Sequence, residues 1–222
     1  MRQFLAILPL LATLSACVDI PQASRQPGVR ASSSSSSYSA PAPEYRQCLS
    51  ELGATKASFT PLPDQYFGEG CSTLGSVRLQ GLRSDSAVLS LGNLGPVTCP
   101  LASSFAGWAR YGVDRAARQI LGSRLVRIET MGSYACRNVA GTARRSGHAT
   151  ANAIDVSAFV LADGRRVSVL QSWNAFSEHE RRFLRVVHES ACKRFGTVLG
   201  PEYNTAHRDH FHVEVNGGGT CR

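Results

Sequence analysis

The chain has 222 residues, enough for one domain with a full hydrophobic core plus appendages. Hydrophobic residues make up 43% and charged residues 18%, which excludes a wholly disordered chain. The formal net charge of +8 favours anionic partners, but the arginines lie scattered, as in Arg144-Arg145, Arg165-Arg166 and Arg181-Arg182. No basic run is interleaved with aromatics, so nucleic acid is not an expected partner.

Residues 1–16 carry Arg2 and then an apolar run from Phe4 to Leu14. That run is too short to span a bilayer and has the layout of a secretory signal. It ends in Leu14-Ser15-Ala16-Cys17, which resembles the bacterial lipobox, with Cys17 as the lipidated first mature residue. Val18 rather than Asp follows, which resembles an outer-membrane address over an inner-membrane one. The expected location is therefore the bacterial periplasm, anchored to the membrane through lipid on Cys17. Residues 17–43 read as a tether, with an unbroken serine run from Ser32 to Ser37 and a Pro41-Ala42-Pro43 close.

Residues 44–222 read as a single domain, with an irregular part at 44–100 and a core at 101–222. Its six cysteines, Cys48, Cys71, Cys99, Cys136, Cys192 and Cys221, imply disulfides in an exported chain. Six cysteines allow 15 pairings, so connectivity stays open. One bridge is expected to fasten Cys221, which otherwise sits on a frayed end. Strands are expected at 76–79 and 87–91. Helices follow at 103–111, capped by Ser103 or Ser104, and at 114–121, opened by Asp114 and stopped by Gly122. The alternation of 124–131 predicts a strand with Val126, Ile128 and Thr130 on one face. Strands at 152–161 and 166–170 are joined by Asp163-Gly164, a hairpin signal. Ser177-Glu-His-Glu180 reads as a capping box opening a helix whose apolar stripe is Phe183, Val187, Ala191 and Phe195. Strands at 197–199 and 209–215 end the chain. The fold class is α+β: a small antiparallel sheet with packed helices.

Three of the six histidines, His207, His210 and His212, fall within six residues near the C-terminus. On a strand, His210 and His212 share a face, and His207 is close enough to join them. Upstream, Asp155 stands between Ile154 and Val156, where an unpaired carboxylate is costly. His148 precedes it by seven positions, in a loop able to fold back. His148, Asp155 and one strand-borne histidine make a His₂Asp set, and three protein ligands leave zinc an open position for water. Two histidines and a carboxylate also suit a non-haem iron oxygenase, although those enzymes usually place the first pair two residues apart.

Ser146-x-His148-x6-Asp155 with His210-x-His212 resembles the LAS metallopeptidases, which comprise lysostaphin-type endopeptidases, D-Ala-D-Ala peptidases and the hedgehog domain. That resemblance implies one zinc ion held by His148, Asp155 and His212, with His210 assisting catalysis. The spacing of His207, His210 and His212 is similar to the murein endopeptidase branch, where the earlier histidine also faces the site. Gly132-Ser-Tyr-Ala-Cys-Arg137 resembles the D-Ala-D-Ala peptidase segment whose arginine contacts substrate, so Arg137, Tyr134 and Ser146 become substrate-binding candidates. Over residues 45–222 the chain is most similar to the bacterial extensin-like C-terminal family. The shared elements are Gly132–Arg137, Ala153-Ile-Asp-Val156, Leu199-Gly-Pro-x-Tyr-Asn204 and His210-Phe-His212. Two positions depart from these patterns: Gly147 replaces the usual Glu, and Ala151 replaces the peptidases' common Gly. The catalytic Glu of the D-Ala-D-Ala peptidases has no clear counterpart. The implied function is a zinc metallopeptidase of the envelope acting on peptidoglycan stem peptides. The rival is an inactive, zinc-bearing lipoprotein that binds cell wall or envelope protein.

Overall fold

A computed structural model describes residues 42–216 and 218–222. The signal segment, Cys17 and nearly all of the expected tether lie outside the described residues. Helix α1 (Pro43–Ala54) opens with proline in its first turn, where the missing N–H costs nothing. This segment reads as irregular in the sequence, yet Tyr45, Cys48, Leu49 and Leu52 recur at helical spacing and pack on the core. Strands β1 (Ser58–Pro61), β2 (Tyr66–Gly68), β3 (Cys71–Ser72), β4 (Ser76–Arg83), β5 (Val88–Gly92) and β6 (Val97–Thr98) follow.

The next helix starts earlier than its serines suggest. Helix α2 (Cys99–Trp108) runs through a π-helical stretch (Ala109–Asp114) directly into α3 (Arg115–Leu121). Ser103 and Ser104 lie inside this rod, and the start is marked instead by Pro100 in the first turn. Asp114 does not cap a helix with its side chain. It is buried and accepts from the Leu125 N–H at 2.8 Å and from Arg118 at 2.9 Å, tying the rod to the strand that follows. Gly122, at φ 69°, supplies the left-handed stop.

Strands β7 (Leu125–Gly132), β8 (Ala153–Leu161) and β9 (Arg166–Ser168) carry the middle of the sheet. Strand β9 is shorter than expected, because Val169 and Leu170 enter helix α4 (Val169–Ser172), capped by Ser168. Helix α5 (Glu178–Cys192) is capped as expected by Ser177, whose hydroxyl accepts from the Glu180 N–H. The reciprocal half of the box is absent, since the Glu180 carboxylate accepts from Ser172 at 2.6 Å. The chain closes with β10 (Thr197–Leu199), β11 (Phe211–Glu214) and β12 (Thr220–Cys221).

The α+β class holds, but the sheet is neither small nor purely antiparallel. Among the described residues it has ten strands, ordered β1-β4-β5-β7-β8-β11-β10-β12, with β6 beside β4 and β9 beside β8. Strand β5 runs parallel to β7, and the α2–α3 rod makes the crossover that a parallel pair requires. Trp108 anchors the core: its ring is wholly buried, touches Phe105, Phe159 and Phe195, and donates Nε1–H to the Val187 carbonyl.

A register slip in the middle of the sheet decides which face each residue takes. Glu129 pairs with Ala158 and Thr130 with Val156, so Ser157 has no opposite partner. This bulge lets Ile154 and Val156 on one side of it, and Phe159 and Leu161 on the other, all face the core. Strict alternation cannot do that. A second slip near Val126 leaves that residue half-buried and brings Leu125 into the core in its place.

Three disulfides form: Cys48–Cys99, Cys71–Cys136 and Cys192–Cys221. The last secures Cys221 as expected. There β12 pairs with β10, and the Gly200 N–H donates to the Arg222 carbonyl.

Candidate metal centre

Strands β8 and β11 are antiparallel neighbours, and their register sets Asp155 directly opposite His212. Phe211 and Val213 point into the core and are fully buried. The alternate residues, His210, His212 and Glu214, therefore share the opposite face with Asp155. His148 arrives from a 3-10 turn (Gly147–Thr150) just before β8. The turn closes through Ala151 at φ 54°, a left-handed conformation that glycine adopts at lower cost. Ser146 caps this turn: it is buried, and its hydroxyl accepts from the His148 N–H.

His148, Asp155 and His212 converge. One ligand atom from each lies within 4.8 Å of the others. His148 Nε2 is 3.0 Å from Asp155 Oδ2 and 3.2 Å from His212 Nδ1. His212 Nδ1 is 2.8 Å from Asp155 Oδ1. The outer ring nitrogens are both committed. His148 Nδ1 lies 2.9 Å from the Ser133 carbonyl, which can only accept, and so must donate. His212 Nε2 donates to the Glu214 carboxylate at 2.7 Å. In neutral imidazoles this leaves two bare lone pairs and a carboxylate turned toward one point. Such an arrangement of acceptors calls for a cation or for protons between them, so the donor set fits a divalent metal.

The other two histidines flank this trio. His210 donates Nδ1–H to Asp209 at 2.8 Å, and its Nε2 is 3.5 Å from Asp155 Oδ1. His207 donates Nδ1–H to Asn204 at 2.7 Å, and its ring lies 5.1 Å from that of His210 and 5.9 Å from that of His212. Burial pulls His207 down to about 4, and the charges near it at His210, His212 and Arg137 act in the same direction. It is neutral at physiological pH, with Nε2 open as an acceptor.

Residues 46–222 match the family described as Extensin-like protein C-terminus. The chain belongs to this extensin-like family. The matched span contains all five of these site residues and every bridged cysteine. No curated protein and no solved structure matches the chain.

The remaining sequence candidates of this extensin-like domain fall at the rim. Arg137 is exposed, and its charge reaches His207. Tyr134 is half-buried with its ring 5.5 Å from that of Phe67, and the Cys71–Cys136 bridge ties its loop to the β2–β3 hairpin. The sequence motifs assign no site role to Ser133, Asn204 or Glu214. Strand alternation was a usable signal for Glu214, two places beyond His212. The backbone carbonyl of Ser133 left no signal. A second trio, His188, Cys192 and Cys221, is no metal site, because the two cysteines are joined as a disulfide.

The electrostatics make a testable point about protons. Burial is the largest influence on both Asp155 and His212 and opposes charge on each, but the hydrogen bonds and charges around them together outweigh it. The imidazoles of His148 and His212 hold the Asp155 carboxyl far below the usual range. Asp155 and then Glu214 raise His212 to about 9. The metal-free fold thus holds a proton on His212 that a metal must displace. Below about pH 9 this proton competes, so apparent zinc affinity is expected to rise roughly tenfold per pH unit between about 6.5 and 8.5. Chelator-competition titrations at several pH values check this, and a flat profile contradicts it. The same raised value stabilises the metal-free fold below the unfolded value of 6.5, a contribution lost as pH climbs through about 9.

Proposed function

We propose that this protein is a zinc-dependent peptidase of the bacterial envelope that hydrolyses peptide bonds in peptidoglycan stem peptides. The observation that carries the reading is the convergence of His148, Asp155 and His212 with their outer ring nitrogens already engaged. The spacing of these residues resembles that of the LAS metallopeptidases, and this resemblance suggests the reaction class. When bound, zinc supplies a Lewis acid for the scissile carbonyl and for water. His207, neutral and held by Asn204, takes up the proton released when water attacks. His210, aligned by Asp209, receives that proton from His207 on Nε2, steadies the developing negative charge while holding it, and passes it to the leaving amine. Arg137, exposed at the rim, holds an anionic group of the stem peptide. Lipid on Cys17 and the Ser/Pro-rich tether place the domain within reach of the wall, at the outer membrane.

Digestion of purified sacculi, read by mass spectrometry, tests this. Wild type is expected to create new muropeptide ends and His148→Ala none, while His207→Ala and His210→Ala each slow the reaction by about 10²–10⁴-fold. Indistinguishable products from wild type and His148→Ala contradict it. Wall binding without cleavage, unaffected by His210→Ala, instead identifies a binding lipoprotein.

A further inference from the structure

Glu214 is an acid that none of the proposed catalytic steps uses, yet it touches the centre. Its carboxylate lies 2.7 Å from His212 Nε2. It also occupies the one place where the His148 turn lacks a side chain. A Cβ added to Gly147 meets Glu214 Oε1 at 2.5 Å and Cδ at 2.6 Å. Real Cβ atoms do not come that close, so a side chain at 147 would require the Glu214 carboxylate to shift from this position. Gly147 has no left-handed backbone to explain its identity, since its φ is not among the positive ones. The space is its evident use. The backbone supports the same contact: Glu214 is registered opposite Ala153, and the Asn152 N–H donates to the Gly147 carbonyl at 2.9 Å. The turn bearing one ligand and the strand bearing another therefore meet at Glu214.

We propose that Glu214 is a positioning residue of the metal centre: it grips Nε2–H of His212, fixes the tautomer that turns Nδ1 to the cation, and fits because position 147 is glycine. The inference rests on the metal-centre reading. An orienting acceptor on a metal-bound imidazole typically governs 10–100-fold in affinity.

The test measures zinc affinity by chelator competition for wild type, Glu214→Ala, Glu214→Gln and Gly147→Ala, alongside melting of each metal-free protein and the visible spectrum of each cobalt form. Glu214→Ala is expected to bind zinc about 10–100-fold more weakly with an altered cobalt spectrum. Glu214→Gln, which keeps an acceptor oxygen, recovers at least half of that loss on a logarithmic scale. Gly147→Ala weakens binding although Glu214 is intact, and it carries the test if Glu214→Ala folds poorly. Affinity within twofold of wild type in both Glu214→Ala and Gly147→Ala overturns the role, even if melting temperature falls, because that pattern belongs to a merely structural acid. Failure of wild type itself to bind zinc sinks the metal centre and this role together.

Discussion

Asp155→Asn is expected to abolish high-affinity zinc binding, with a loss exceeding the roughly 10–100-fold that follows removal of an outer partner. The substitution keeps shape and removes charge. The carboxylate is 3.0 Å from His148 Nε2 and 2.8 Å from His212 Nδ1, and it is the only anion in the trio. Asn offers one carbonyl oxygen and an NH₂ that presents hydrogens to lone pairs, so one of the three donors is lost. The metal-free fold also suffers. The protonated His212 loses its principal partner, and breaking a buried charge pair from one side typically costs about 3–5 kcal/mol. Glu214 remains on Nε2 and keeps part of that stabilisation, so the lower end is expected. Calorimetric zinc titration and thermal melts of the metal-free protein measure the two effects separately. Zinc affinity close to wild type removes Asp155 from the site.

The second large effect belongs to the Cys71–Cys136 bridge. Its loop spans 65 residues, and constraint of the unfolded chain at that length corresponds to about 4 kcal/mol in the chain-entropy picture. Cys71→Ser/Cys136→Ser is therefore expected to melt roughly 10 °C lower than wild type under non-reducing conditions. The functional consequence is selective. The bridge holds the β2–β3 hairpin against the loop that carries Tyr134 and Arg137, and Arg145 reinforces the contact through the Glu69 carbonyl at 2.6 Å and Asn138 at 2.9 Å. The ligands stand on β8, β11 and the turn at Gly147–Thr150, none of which carries a bridged cysteine, and the turn keeps its own link to the bridged loop through the Ala135 N–H, which donates to the His148 carbonyl at 3.1 Å. Zinc affinity should fall far less than the rate of wall digestion. Equal losses in both would show that the hairpin supports the metal centre itself.

What the sequence reveals about this site is its side-chain chemistry at short range. Alternation puts His210 and His212 on one face, and an acid between Ile154 and Val156 has to have a partner; both inferences need only a strand. The cap at Ser177 is equally local. What remained hidden depends on which strand lies beside which. The slip at Ser157 comes from pairing with β7, and no pattern within β8 announces it. The Ser133 carbonyl orients His148 only because β7 ends beside β8. Helix α2 starts ahead of its serines for a different reason. Ser103 and Ser104 are good caps, but Pro100 had already opened the helix, and burial of Leu101 and Ala102 outweighs the preference of serine for helix ends. The sheet is larger than the sequence suggests because β1, β6 and β12 are only two to four residues long and carry too little periodicity to register.

The most direct measurement is anomalous scattering from crystals of the zinc-loaded protein, collected on both sides of the zinc absorption edge. A single peak is expected at the roughly 2.0–2.2 Å typical of zinc from His148 Nε2, the Asp155 carboxylate and His212 Nδ1, with none of these three replaced by His207 or His210. A peak lying elsewhere on the domain, or none between these three side chains when titration shows an ion bound, contradicts the account.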